Sequence, residues 1–308
     1  MATAPQHDAA GLWAPACTPV DQDLAPDAPR YVALVKRLLE EGCHGVAVFG
    51  TTGEATSFSV EERQVVLEAL IEAGVAPDRL MVGTGCAALS DSVALSAHAA
   101  SLGCKKQLIL PPFYYKQVSD EGLFASYAAI IDRVADPALA VYLYHFPRLS
   151  QTPITHGLVR MLAAAYPGTI KGIKDSSGDP DSGQGFIEAF PKLAIFPGTE
   201  VLMLELLEAG AAGCISASAN VNAPAIRAVY DAWKEDRPEV VELQQGITAL
   251  RMVLQAAPMI PVLKRILARR LGDPAWLALR PPLVQLSAAQ ADALETGLAE
   301  LEFSLEAA

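Results

Sequence analysis

The chain has 308 residues, with 23 Lys and Arg against 35 Asp and Glu, a formal net charge of −12. That charge argues against nucleic acid and anionic membranes as partners, and 52% apolar with 19% charged residues excludes a globally disordered chain. Length sets a soft prior of about two domains at ~150 residues each, although single α/β barrels often run longer.

The N-terminal stretch MATAPQHDAA carries neither a basic segment nor an apolar run, so no secretory signal is expected. From there to about residue 235, short apolar segments alternate with segments of helical period. Leu12–Cys17 comes first, then a helical pattern at Tyr31–Glu41 with apolar Val32, Leu34, Val35, Leu38 and Leu39. Gly45–Phe49 precedes Ser59–Glu72, which opens with Ser59 and Glu62 at capping-box spacing. Leu80–Val82 precedes Asp91–Leu102, Gln107–Leu110 precedes Asp120–Val134, and Ala140–Tyr144 precedes Thr155–Ala165. Ile170–Ile173 and Leu193–Phe196 follow, the latter before Val201–Ala209, and Gly213–Ile215 precedes Ala223–Lys234.

Most of the short segments lack polar alternation, as strands buried on both faces of a parallel sheet do. Eight of them alternating with helices predict an α/β fold, a (β/α)8 TIM barrel. A doubly wound open sheet is the competitor and usually has fewer strands. After Pro238 the rhythm changes to helices at Val240–Gln255, Ile260–Leu271 and Ala288–Leu305, with Arg280-Pro281-Pro282 as a breaker between the last two. The expected division is a catalytic barrel over 1–236 and a C-terminal helical appendage over 237–308. No apolar run reaches the ~18 residues of a membrane helix.

Cys17, Cys43, Cys86, Cys104 and Cys214 are odd in number and form no CxxC pair, which fits reduced thiols in a cytoplasm. His7, His44, His98, His145 and His156 include no HxxxH pair and no carboxylate cluster accompanies them, so no protein-held metal is expected.

In a barrel the catalytic groups lie at the C-terminal ends of the strands. The sixth segment continues Gly-Ile-Lys-Asp-Ser-Ser-Gly-Asp to Asp179. Side-chain alternation sends Lys171 and Lys174 to opposite faces and puts Lys174 on the face of Ile170 and Gly172. If that face lines the barrel, Lys174 is an amine in an apolar cavity, where desolvation favours the neutral, nucleophilic form, and Gly172 leaves room for a substrate. The competing reading is a lysine paired with Asp175 or Asp179. Tyr144, at the end of segment five, can shuttle protons to such an amine, or be a packed tyrosine with a backbone partner. Gly50-Thr51-Thr52-Gly53-Glu54 after segment two is a candidate anion cradle or an ordinary Gly-rich turn. Val82-Gly83-Thr84-Gly85-Cys86-Ala87-Ala88 fits GxGxxA, but no acid follows at the end of the next strand, so a tight barrel loop is expected instead of a nicotinamide site. Cys86 and Cys214 have no assignable His or Asn partner and read as buried structural thiols. Tyr114 and Tyr115 sit in a Pro-bounded loop that could close a pocket or reach a neighbouring subunit.

GTTGE at Gly50–Glu54, YHFP at Tyr144–Pro147 and GIKDSSGD at Gly172–Asp179, in that order, resemble the dihydrodipicolinate synthase / N-acetylneuraminate lyase family of class I Schiff-base aldolases. The resemblance extends over nearly the whole chain. It implies that Lys174 forms a Schiff base with pyruvate or another 2-oxo acid and that Tyr144 shuttles protons. Thr51 and Thr52 would hold the substrate carboxylate in the Gly50–Gly53 turn, Thr51 joining the proton relay. Tyr115 would enter a neighbouring subunit's site. Ile215, through its carbonyl, would line the pocket, as would Gly198. The resemblance also implies a homotetramer built as a dimer of dimers, with no metal or organic cofactor.

Where the synthase branch carries an arginine five residues after the tyrosine, this chain has Leu149, with Arg148 one residue earlier as a substrate-binding candidate. His145 stands where the family usually has Asn. The leading expectation is therefore a carbon–carbon or carbon–oxygen lyase acting on pyruvate or a 2-keto-3-deoxy acid. The alternatives are a 4-hydroxy-tetrahydrodipicolinate synthase, a metal- or cofactor-dependent barrel enzyme, and a non-catalytic 2-oxo acid sensor on the same scaffold.

Overall fold

Polar side chains at the loop–helix junctions start the helices. Asp27, Ser59, Ser119, Thr155 and Asp179 accept hydrogen bonds from the first-turn N–H groups of Arg30, Glu62, Gly122, Leu158 and Asp181. Ser59 and Glu62 complete the expected capping box. The computed structural model describes residues 7–304. The strands are β1 (Gly11–Pro15), β2 (Gly45–Val48), β3 (Leu80–Gly83), β4 (Lys106–Ile109), β5 (Ala140–His145), β6 (Ile170–Asp175), β7 (Ala194–Pro197) and β8 (Gly213–Ile215). They pair in parallel in the order β7-β6-β5-β4-β3-β2-β1-β8. Between β7 and β8 the Ala212 N–H donates to the Ile195 carbonyl at 2.9 Å, which nearly closes the ring. The result is a (β/α)8 barrel, not an open doubly wound sheet.

The barrel helices are α1 (Ala28–Glu40), α2 (Val60–Glu72), α3 (Leu89–Ser101), α4 (Asp120–Val134), a single turn α5 (Pro147–Ser150), α6 (His156–Ala165), α7 (Pro180–Ala189), α8 (Met203–Ala209) and α9 (Ala219–Lys234). The sequence pattern does not delimit α7, which contains Pro180, Gly183 and Gly185. Pro180 sits harmlessly in the first turn behind the Asp179 cap. Gly183 packs close against α8, where an added Cβ would lie 2.7 Å from the Leu206 side-chain tip. The expected helix at Val201–Ala209 begins as a 3-10 turn, Glu200–Leu202, before α8. Helix α9 starts earlier than the expected Ala223 and bends at Asn222, just before Pro224. The C-terminal helices are α10 (Val240–Leu254), α11 (Met259–Arg270) and α12 (Ala288–Glu300). The last stops short of the expected end; Leu305 lies outside the described residues.

Inside the barrel Trp13, Met81, Leu108, Tyr142 and Phe196 pack together. The Trp13 indole N–H donates to the Ala9 carbonyl at 2.7 Å. A Cβ at Gly45 would lie 2.3 Å from the Trp13 ring, so the indole fills the floor. With the lower interior solid, the free space lies at the C-terminal mouth. Around the barrel, α10 and α11 share one apolar cluster with α1, α2 and α9, through Leu250, Leu263 and Ile266 against Leu34, Leu67 and Ile226. Among the described residues no single helix is long and apolar enough to cross a membrane.

Candidate active site

Tyr142 and Tyr144 alternate with Val141 and Leu143 along β5, so the two tyrosines point into the barrel and the aliphatic pair packs against the helices. Strand β6 lies beside it with a bulge: Val141 pairs with Ile170, but Tyr142 pairs with Gly172. The bulge absorbs Lys171, which is exposed. It also corrects two expectations. Ile170 joins the outer cluster of Val141 and Leu143 and does not share the inner face with Lys174. Gly172 faces inward as expected, yet the space its missing side chain leaves belongs to Tyr142 and the Ala194 carbonyl, 2.8 and 2.3 Å from an added Cβ, and not to a substrate.

Lys174 emerges at the mouth, 4% exposed. Its Nζ donates to the Tyr144 hydroxyl at 3.4 Å and sits 4.4 Å from the centre of that ring. Thr51 Oγ1 and the Tyr144 hydroxyl are 3.1 Å apart, and Tyr144 stacks on Phe146. Neither acid proposed as a lysine partner is used that way: Asp175 accepts from the Ser177 N–H and Asp179 from the Asp181 N–H. Among the described residues no carboxylate lies within ion-pair distance of Lys174. Amine, phenol and hydroxyl thus form a hydrogen-bonded row from β6 through β5 to the loop after β2.

That loop is shaped by its neighbours. Phe49 adopts φ 56°, a left-handed conformation that turns its carbonyl toward β3. A Cβ at Gly83 would lie 2.1 Å from that oxygen, and one at Gly85 would lie 2.4 Å from the Leu110 N. The glycines of the GxGxxA stretch therefore let adjacent barrel loops approach, as the absent ribose-binding acid suggested. Gly53 closes against the Ala16 carbonyl, and its own carbonyl accepts from Thr18 Oγ1 at 2.8 Å. Gly50 meets no such steric demand. Among the described residues the N–H groups of Thr51, Thr52 and Gly53 find no protein acceptor. Unpaired donors in a row are what an anion cradle requires. Glu54 turns away and forms a buried ion pair with Lys264 of α11 at 2.5 Å.

Thr51, Thr52, Tyr144, Arg148, Lys174, Gly198 and Ile215 all line one cavity of about 540 Å³. Strand β5 ends at His145 and α5 takes over; Arg148 and Leu149 both line the cavity, Leu149 with 59% of its surface exposed. Gly198 lets the loops after β6 and β7 meet, since a Cβ there would lie 2.1 Å from Ser176 Oγ. A smaller cavity of about 220 Å³ adjoins Thr51 and Tyr144 and is lined by Phe49, Leu108, Leu110, Phe113 and Phe146. Tyr115 is not brought to this site within one chain: it is 76% exposed, edge-to-face with Tyr114, and lines neither cavity.

Sequence reasoning missed Arg251 of α10 and Gln255 just after it, which also line the larger cavity. They lie on a helix beyond the barrel, with no motif around them. His145 faces outward, where its Nδ1 accepts from the Ile154 N–H at 2.9 Å; burial pushes its imidazole below the usual range, against the opposing pull of Asp175. The cysteines are free thiols. Burial pushes Cys17 and Cys43 up to about 12 and Cys214 well above its ordinary value, so these are not ready nucleophiles. Cys86, expected to be buried, is partly exposed and accepts from Arg63 at 3.2 Å.

Residues 8–301 match the dihydrodipicolinate synthetase family. An uncharacterized DapA-like lyase of Chloroflexus aurantiacus is 37% identical over 285 residues, covering 92% of this chain and 94% of the relative. The crystal structure of dihydrodipicolinate synthase from Agrobacterium tumefaciens is 32% identical, with a TM-score of 0.87 over 96% of this chain and 99% of that one. YagE, a prophage protein of the dihydrodipicolinic acid synthase family from E. coli solved in complex with pyruvate, is 26% identical, with a TM-score of 0.87 over the same shares.

Proposed function

The chain belongs to the dihydrodipicolinate synthetase family, and from that premise we propose that it is a class I lyase that captures pyruvate, or the pyruvate end of a 2-keto-3-deoxy acid, on Lys174. The observation that carries this reading is the buried Lys174 amine hydrogen-bonded to Tyr144, itself 3.1 Å from Thr51.

In this reading the substrate carboxylate rests on the N–H groups and hydroxyls of Thr51 and Thr52 between Gly50 and Gly53. The Lys174 amine attacks the keto carbon. Tyr144 carries the proton from nitrogen to oxygen, with Thr51 as its relay partner, and water leaves as the imine forms. The protonated imine accepts the electron pair of the breaking carbon–carbon bond, or of the C3–H bond when a hydroxyl is to be expelled. An enamine forms in place of a free carbanion. Ile215 and Gly198 shape the pocket. Tyr115 serves a neighbouring subunit in a homotetramer, which its exposure on the single chain suits. Leu149, in place of an arginine, favours the 2-keto-3-deoxy acid over aspartate semialdehyde as the substrate. The working division is a barrel over 1–236 and an appendage over 237–308, and the free thiols fit a cytoplasmic enzyme.

Borohydride added with pyruvate is expected to inactivate the enzyme and leave one reduced adduct per chain. A chain that acquires no adduct with pyruvate or any other 2-oxo acid overturns the reading and leaves the sensor alternative. A panel of 2-keto-3-deoxy acids assayed for pyruvate release, beside aspartate semialdehyde assayed for pyruvate consumption, separates lyase from synthase.

A further inference from the structure

We propose that Arg251 forms a second anion subsite, which reads a carboxylate at the end of the substrate remote from its keto group. The inference rests on the Schiff-base reading of Lys174 and adds a substrate class: acids with a negative charge at both ends.

Arg251 comes from α10, outside the barrel, and its side chain is 14% exposed. Nη1 donates to Glu200 Oε2 at 3.2 Å, Ser216 Oγ at 3.3 Å and Ser218 Oγ at 3.2 Å, while Nε donates to Gln255 Oε1 at 3.3 Å. Glu200 is 1% exposed, and Ser216 also donates to its Oε2. The guanidinium is therefore anchored from behind by a buried carboxylate and two hydroxyls. Its other terminal nitrogen, Nη2, has no protein partner among the described residues. A planar donor group fixed on one side and open on the other is pre-organised for a carboxylate.

The cavity itself agrees. Lys174, Arg148 and Arg251 line it, and among the described residues no Asp or Glu does. Its charged groups are all hydrogen-bond donors, which matches an anionic tail better than a polyol. At about 540 Å³ it falls in the range that holds ligands much larger than a three-carbon acid. Glu200 balances the Arg251 charge from outside the cavity, so the excess positive charge facing the tail comes from Arg148. Specificity at Arg251 is thus a matter of directed N–H groups backed by that field.

The probes are chain-matched 2-oxo acids: 2-oxoglutarate against 2-oxopentanoate, and 2-oxoadipate against 2-oxohexanoate. Half-saturating concentrations for borohydride trapping are measured for each, with pyruvate as the reference. The wild-type chain is expected to prefer the dicarboxylates by about tenfold, the worth of a charge-assisted hydrogen bond. Arg251→Gln is expected to abolish the preference, and Arg251→Lys to restore part of it. An unchanged preference in Arg251→Gln, or no preference in the wild type, overturns the proposal. If nothing is trapped by any acid, the Schiff-base reading alone fails. The same titrations followed by thermal shift then still decide Arg251, by whether the extra stabilisation from the dicarboxylates is present and depends on it.

Discussion

Two lysines of this chain are buried almost equally and do opposite things. Lys264 is 1% exposed on α11; its ammonium meets Glu54 at 2.5 Å and donates to the Ala278 carbonyl at 3.0 Å. Lys174 is 4% exposed at the barrel mouth and, among the described residues, its Nζ hydrogen-bonds only to a phenol. Both are reached from the same five-residue turn, whose Thr51 faces Lys174 through Tyr144 and whose Glu54 faces Lys264. Burial by itself therefore says little about a lysine. The partner differs: a carboxylate makes Lys264 a joint between barrel and appendage, while the Lys174 Nζ faces the cavity beside a phenol.

The widest separation of the two regions comes from exchanging their lysines. Lys174→Ala is expected to abolish trapping and turnover with little change in melting temperature, because no ion pair is lost. Lys264→Met is expected to do the reverse at first order. It strands a buried Glu54 carboxylate and costs about 3–5 kcal/mol of stability, read by denaturant or thermal unfolding. Glu54→Gln in the Lys264→Met background should recover part of that loss. Equal destabilisation by both lysine variants breaks the comparison.

Tyr144→Phe sharpens it on the catalytic side. Removing the hydroxyl takes away the proton carrier and should lower kcat by about 10²–10⁴-fold, while the ring still packs on Phe146. A kcat within a factor of two of wild type would show that protons reach the imine by another route. Gly83→Ala perturbs the same row indirectly. Its Cβ would push on the Phe49 carbonyl and displace the turn that carries Thr51. A loss of up to about 10²-fold in kcat/KM is expected from misplacement of that kind. A variant with normal kinetics would detach the Thr51 turn from the mechanism.

The smallest expected effect lies at the opposite end of the barrel. His44 accepts from the Leu12 N–H through Nδ1 at 3.0 Å, and burial, reinforced by Arg227, pushes its imidazole down to about 4. Between the ordinary histidine value of about 6.5 and that value the unfolded chain binds a proton that the folded chain does not. Stability should fall as pH drops through this window and level off above it. His44→Asn, which keeps an acceptor near Nδ1, should show a shallower pH dependence of melting temperature. An identical slope would assign the acid sensitivity elsewhere, with His145 the next group to test.

The barrel was legible because its strands are short, apolar on both faces and regularly spaced, a pattern that needs no tertiary information. Lys174, Tyr144 and Thr51 were legible because each ends such a strand or opens the turn after it. What the sequence hid has physical causes. One bulged residue in β6 reverses the facing of Ile170, and simple alternation has no sign of it. In helix α7, Gly183 lies close against Leu206 of α8, a contact set by packing and not by propensity. Arg251 acquires its meaning only when α10 folds back over Glu200, Ser216 and Ser218.

The most direct measurement is to reduce the enzyme with borohydride in the presence of pyruvate, digest it and locate the modified lysine by mass spectrometry. The account predicts a single adduct on Lys174, none on Lys171 or Lys264, and none anywhere in Lys174→Ala. An adduct on a different lysine, or the same adduct persisting in that variant, contradicts it.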